Sequence, residues 1–247
     1  MAMKFPITPA DGIYLNSSYG GTISVNNIHH NTARGIFCDG GSGYVINRNR
    51  IEYNNTGKSY EGGGISCSVC SSTPTIANNF IRGNGATKGG GIYCYQSAPH
   101  IYNNTIVDNS CSISGDGIYI RNLDDQDPYV CNNIVANTTA GYGMYIDNSG
   151  LNCSYTVYLN KNCTYQNGYG NYAVSGNYAE FEWPTNDHYD EDPELSSDRC
   201  HLASGSQCIE WGSQNWNGIP RYYGPYDIDG DSRIINSKID VGCDEVQ

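Results

Sequence analysis

Positive charge is scarce in this chain. Only 13 of its 247 residues are Lys or Arg, against 25 Asp or Glu, which leaves a net charge of −12. A pI near 4.6 excludes the basic footprint that nucleic-acid binding requires. Charged residues of both signs make up 15%, well under the roughly 25% of an ordinary soluble domain. No apolar run approaches the roughly 18 residues of a spanning helix, so membrane insertion is not expected. The opening Met1–Pro6 lacks the apolar stretch of a secretion signal and reads as the start of a mature or trimmed chain. In place of charge stand 30 Gly and 29 Asn, nearly a quarter of the residues. Both are poor helix formers, while 22 Tyr and a regular scatter of Ile and Val argue against disorder.

The Gly and Asn are phased. A tetrad Gly-Ile-x-(Leu/Cys/Ile) begins at Gly12, Gly35, Gly64, Gly91 and Gly117, and at Gly143 with Met in place of Ile. The starts lie 23, 29, 27, 26 and 26 residues apart. After each tetrad comes Ile-x-x-Asn-x-Ile-x-x-Asn, read at Ile23/Asn26/Ile28/Asn31, Ile46/Asn49/Ile51/Asn54, Ile76/Asn79/Ile81/Asn84 and Ile101/Asn104/Ile106/Asn109. A fifth copy reads Tyr129/Asn132/Ile134/Asn137, and a decayed sixth Leu159/Asn162/Thr164/Asn167.

Residues two apart on a strand face the same side, so Ile13 and Leu15 share one face and Tyr14 takes the other. Each repeat thus offers two or three short strands whose apolar faces are too small to be stable alone. Stacking the repeats buries those faces in one continuous core, as in a solenoid. Three short parallel strands and three turns fit the period, which predicts a parallel β-helix of about six to seven coils. Asn suits left-handed turns, and amides stacked at strand spacing form hydrogen-bonded ladders. One ladder is expected along Asn26, Asn49, Asn79, Asn104, Asn132 and Asn162, and a second along Asn31, Asn54, Asn84, Asn109, Asn137 and Asn167.

On these tetrads and Asn runs the chain resembles the right-handed parallel β-helix repeat proteins, which are secreted or displayed on the surface of bacteria and some archaea. The resemblance covers roughly residues 12–180. It extends to a closing segment: Asp192-Pro193, His201-Leu202, Gly205-Ser206, Ile209 and Gly212, then Asp227-Ile228-Asp229-Gly230-Asp231-Ser232-Arg233, Asp240-Val241-Gly242 and Glu245. It implies an all-β, right-handed solenoid over residues 1–180, with an irregular C-terminal capping segment at 181–247 packed on the same solenoid, a single domain overall. An extracellular or cell-surface location is implied with it. Activity is left open, because such relatives include lyases, hydrolases, epimerases, adhesins and surface proteins.

The residues that break the pattern are the functional candidates. Tyr14, Phe37, Ser66, Tyr93, Tyr119 and Tyr145 occupy the outward position of successive tetrads. Such a stripe suits three roles: stacking on sugar rings, packing against another subunit, or lying beneath the C-terminal segment. Asp124, Asp125 and Asp127 form the densest acidic group within the coils and are the best acid candidates for a polysaccharide-active enzyme. No lyase motif accompanies the scattered Arg and Lys. Asp227, Asp229 and Asp231 alternate around Gly230 as in oxygen-rich calcium loops. Of eleven Cys, Cys38, Cys67 and Cys94 share one inward position and are expected to stack in the core. Cys200, Cys208 and Cys243 lie in the tail, where one disulfide among the three is expected, with Cys153–Cys163 a further candidate pair. The leading expectation is a non-catalytic protein of adhesion, glycan binding or envelope structure, with a polysaccharide or cell-surface glycan as partner. The alternatives are a polysaccharide-active enzyme and a subunit that associates end to end or side by side.

Overall fold

In a computed structural model of the chain, every regular element among the described residues is a strand. The structure describes residues 10–121, 126–149, 155–176, 179–182, 188–189, 191–216, 219–220 and 224–246. Three seven-stranded parallel sheets run side by side, and each coil contributes one strand to each sheet. In the fourth coil these are Ile92–Tyr95, His100–Tyr102 and Thr105–Val107. A fourth strand, Ser110–Ser114, pairs with Gly85–Lys88 of the coil before to make a two-stranded side sheet.

The expected inward columns are in register. Ile36, Ile65, Ile92, Ile118 and Met144 stack in the first sheet, as do Cys38, Cys67 and Cys94, all three fully buried. The tetrad glycines are there because neighbouring coils touch. A Cβ on Gly64 would lie 2.6 Å from the carbonyl oxygen of Gly91, and one on Gly91 2.6 Å from that of Gly117.

Both Asn ladders form. Nδ2 of Asn26, Asn49, Asn79 and Asn104 each donates, at 3.0 Å, to the amide oxygen one coil further on. The second runs Asn31, Asn54, Asn84, Asn109 at 2.8–3.1 Å. The fifth coil corrects the expected assignment by one residue. Asn133, not Asn132, continues the first ladder to Asn162. Thr138, not Asn137, takes the second position, its N–H meeting Asn167 Oδ1 at 3.4 Å. Val130 and Val135 fill the inward positions opposite Ile101 and Ile106, so Tyr129 and Ile134 face outward. Asn132 and Asn137 instead belong to two columns of left-handed residues that make the bends. Val25, Arg48, Asn78, Asn103, Asn132 and Lys161 form one, all near φ +55 and each just before a ladder residue. His30, Tyr53, Asp108, Asn137 and Gln166 belong to the other. Asn tolerates that conformation better than most residues, so an Asn-Asn doublet satisfies either register.

The described residues of the tail lie along the side of the solenoid, on the outer face of the third sheet. Cys200, Leu202, Cys208, Ile228, Val241 and Cys243 pack on Phe80, Val107, Ile134, Ala136 and Cys163. Ile134 is apolar for that reason. Asn132 helps hold the tail: its amide exchanges hydrogen bonds with the Ser213 backbone at 2.8 and 2.9 Å, and its carbonyl accepts Gly242 N–H. Arg199 bonds Asp108 at 2.9 Å.

Candidate functional site

With the third sheet covered, the outward aromatic column lies on the first. Tyr14, Phe37, Ser66, Tyr93, Tyr119, Tyr145 and Ala173 are in register there. The rings stack on each other along the solenoid axis. Tyr14–Phe37 centroids are 5.1 Å apart, and Tyr93–Tyr119 and Tyr119–Tyr145 each 5.4 Å, with planes within 22°. A ring stacked on both faces offers only its edge to a ligand. Tyr119, between Tyr93 and Tyr145, is also 1% exposed.

Three glycines produce that burial. Gly62, Gly89 and Gly115 adopt φ of +72, +63 and +71, and each folds the incoming chain over the column. A Cβ on them would sit 2.6 Å from Ser66 Cβ, 2.8 Å from Tyr93 Cβ and 2.9 Å from Tyr119 Cβ. The middle of the stripe is therefore covered by its own turns. Lys88, on the side sheet, donates to Tyr119 Oη at 3.4 Å, and Tyr119 donates to Asp147. Burial, then the Asp147 carboxylate, pushes the Tyr119 phenol up. Burial opposes ionisation of Asp147, but hydrogen bonds from Ser149, Tyr119 and Ser175 outweigh it and hold the group at about 2.

The stripe opens where such a glycine is missing. In the second coil Arg34 lies over the Phe37 ring at 3.4 Å, and Tyr14 beyond it is 50% exposed. In the sixth coil Gly141 is not left-handed, and Tyr142 and Tyr145 stay half-exposed. The next rung beside Tyr145 is Ala173, so among the described residues no ring stacks on its far face. Tyr142 tilts 47° to Tyr145 at 5.9 Å, and Tyr169, 70% exposed, stands at 72° to Tyr142 at 5.9 Å. Tyr142, Tyr145 and Tyr169 thus form an open nest whose ring faces diverge. Sequence spacing picks out Tyr145 alone; Tyr142 precedes its tetrad and Tyr169 sits in a turn.

The remaining candidates fall elsewhere. Asp124, Asp125 and Cys153 lie outside the described residues. Asp127 Oδ1 accepts Thr156 N–H at 2.7 Å, which braces a loop. Asp116, fully buried, accepts the N–H groups of Cys111, Ala140 and Gly141. The Asp227–Asp231 loop does not gather its three carboxylates. Asp227 is buried and accepts N–H from Asp229, Gly230, Asp231 and Glu245, while Asp231 points to solvent. The ligand atoms that converge, within 4.8 Å, belong to His201, Asp229 and Asp244. One imidazole with two carboxylates suits zinc or manganese better than calcium.

That tail cluster carries a pH dependence. Burial lowers His201, but Asp229 at 2.7 Å, then Asp244 and Asp198, outweigh it and raise the group above 6.5. Burial also raises Asp240 and Asp244, and pushes Glu245 up to about 8. All four bind protons more tightly folded than unfolded. Their contribution is complete below each unfolded pKa and is lost as pH climbs through the folded one. Amide exchange of residues 195–246 is expected to quicken from pH 6 to pH 9 beyond the intrinsic rate change. His201→Gln and Glu245→Gln each flatten that rise; a wild-type profile as flat as theirs contradicts the assignment.

A family model described as "Right handed beta helix region" matches residues 11–182. No curated protein and no solved structure matches the chain.

Proposed function

The chain belongs to the right-handed β-helix family, and since that fold serves enzymes and non-catalytic proteins alike, we propose a function from the open aromatic nest of Tyr142, Tyr145 and Tyr169. It is a non-catalytic, extracellular glycan-binding protein, and Tyr142, Tyr145 and Tyr169 are the contact surface. The carrying observation is the Tyr145 ring, backed by Tyr119 on one face and, among the described residues, flanked by the small Ala173 on the other. A pyranose laid on that face meets rigid aromatic carbon, with the exposed Tyr169 ring close by. Asp147 and Ser175, next along the same strands, place polar atoms beside it. Two acids beside this surface, Asp116 and Asp147, are saturated with structural hydrogen bonds, which suits binding better than proton transfer. The net charge of −12 repels polyanionic glycans and favours a neutral polysaccharide.

Retardation of the protein in gels containing soluble neutral polysaccharides is the test. The Tyr142→Ala/Tyr145→Ala/Tyr169→Ala variant is expected to bind about 30-fold more weakly, from two ring contacts at about 1 kcal/mol each, with an unchanged melting temperature. Equal retardation of variant and wild type rejects the surface. Release of new reducing ends by the wild type replaces binding with hydrolysis.

A further inference from the structure

The tail brings together cysteines whose pairing the sequence leaves open. Cys200 and Cys243 are buried with their Sγ atoms 3.7 Å apart, across 43 residues of chain. Cys163, on the third-sheet strand Cys163–Tyr165, and Cys208 of the tail are both buried in the same apolar cluster between sheet and tail. Each pair joins segments remote in sequence. The first ties the two halves of the tail together; the second ties the tail to the sixth coil.

The other cysteine contacts differ in geometry. Cys38, Cys67 and Cys94 are consecutive rungs of a parallel ladder. Rungs of that kind hold their Cβ atoms side by side at about 4.8 Å, beyond the roughly 3.8 Å a disulfide adopts. That row is a packed column of small apolar side chains.

We propose that Cys200–Cys243 and Cys163–Cys208 are disulfides that staple the tail over the third sheet. The Cys200–Cys243 pair is prepared for the reaction. The Arg50 guanidinium lies 3.6 Å from Cys200 Sγ, and its positive charge favours one negative charge on the pair, the thiolate that thiol–disulfide exchange needs. Burial raises Cys243, but hydrogen bonds with Cys200 and Thr105 outweigh it and lower it below an ordinary thiol. Cys243 is thus the attacking thiolate. It displaces one thiolate from an organic disulfide such as oxidised glutathione and forms a mixed disulfide. The released thiolate takes the Cys200 proton. Cys200 then attacks the Cys243 sulfur and expels the second thiolate, which takes up the proton Cys243 first lost. Two protein thiols are oxidised and one organic disulfide is reduced to two thiols. Cys163–Cys208 forms by the same two exchanges. Because all four sulfurs are buried once the tail has docked, the exchange takes place as it docks.

The experiment folds the full chain in a buffer of reduced and oxidised glutathione, then alkylates in denaturant and maps peptides by mass spectrometry without reduction. Peptides linked through Cys200–Cys243 and through Cys163–Cys208 are expected, with Cys38, Cys67 and Cys94 alkylated. Dithiothreitol is expected to lower the melting temperature by about 10 °C, and to do so less in Cys163→Ala/Cys208→Ala. Full alkylation of the four thiols, or their linkage to other partners, overturns the proposal. The mapping involves no glycan, so it stands or falls separately from the binding surface.

Discussion

Asn104→Ala is expected to destabilise the solenoid by about 4 kcal/mol, because several buried polar groups lose partners together. Asn104 Oδ1 accepts both the backbone N–H and Nδ2 of Asn79 at 3.0 Å. Its own Nδ2 donates to the Ile76 and Tyr102 carbonyls and to Asn133 Oδ1. All of this sits in a fully buried turn, where water cannot replace the lost amide. Asn26, in the first coil, is exposed and accepts nothing from a preceding rung among the described residues. Asn26→Ala is therefore expected to cost less than about 1 kcal/mol. Urea unfolding of the two variants measures the contrast. Similar small shifts in both would show that the ladder amides only fill space.

Arg233→Met is expected to release the tail while the coils stay folded. Arg233 is fully buried and donates to the carbonyls of Gly242, Cys243 and Asp244 and to Glu245. Burial lowers its pKa, and the surrounding carboxylates offset that. Without the guanidinium, the Gly242 and Asp244 carbonyls lose its donors outright, while the Cys243 carbonyl keeps only Ile228 N–H and the Glu245 carboxyl only Asp240 N–H, at a cost of about 3–5 kcal/mol. Hydrogen exchange is expected to show loss of protection in residues 195–246 and none in the ladder turns. Adding Glu245→Gln is expected to restore part of the protection, since it removes the stranded acid but not the carbonyl deficit. Full protection in the single variant would mean the apolar contact with the third sheet suffices alone.

The inner columns were legible because their signal is local and repeated. Ile13 with Leu15 shows one strand, and five further tetrads show the stack. The fifth coil misled for a physical reason. Asn is favoured both in the ladder and in the left-handed position before it, so Asn132-Asn133 fits two registers. Ile134 looked like a core residue because the tail buries it from outside. The aromatic stripe was placed in the correct column, but its accessibility was not legible. That depends on Gly62, Gly89 and Gly115, whose positive φ turns the chain over Ser66, Tyr93 and Tyr119. The triple glycines at 62–64 and 89–91 were the available trace. Tyr142 and Tyr169 carried no periodic mark.

By itself, then, the sequence determined the coil, the stacking and the amide ladders. In a solenoid each repeat touches mainly the repeats before and after it, so a pattern along the chain is also a pattern in space. The tertiary structure alone decided which aromatic faces stay open, where the tail lies and which cysteines meet. Those outcomes depend on contacts between segments that do not repeat: Asn132 with Ser213 across 81 residues, Asp108 with Arg199 across 91, Thr105 with Cys243 across 138. No period relates such partners, and only the folded chain brings them together.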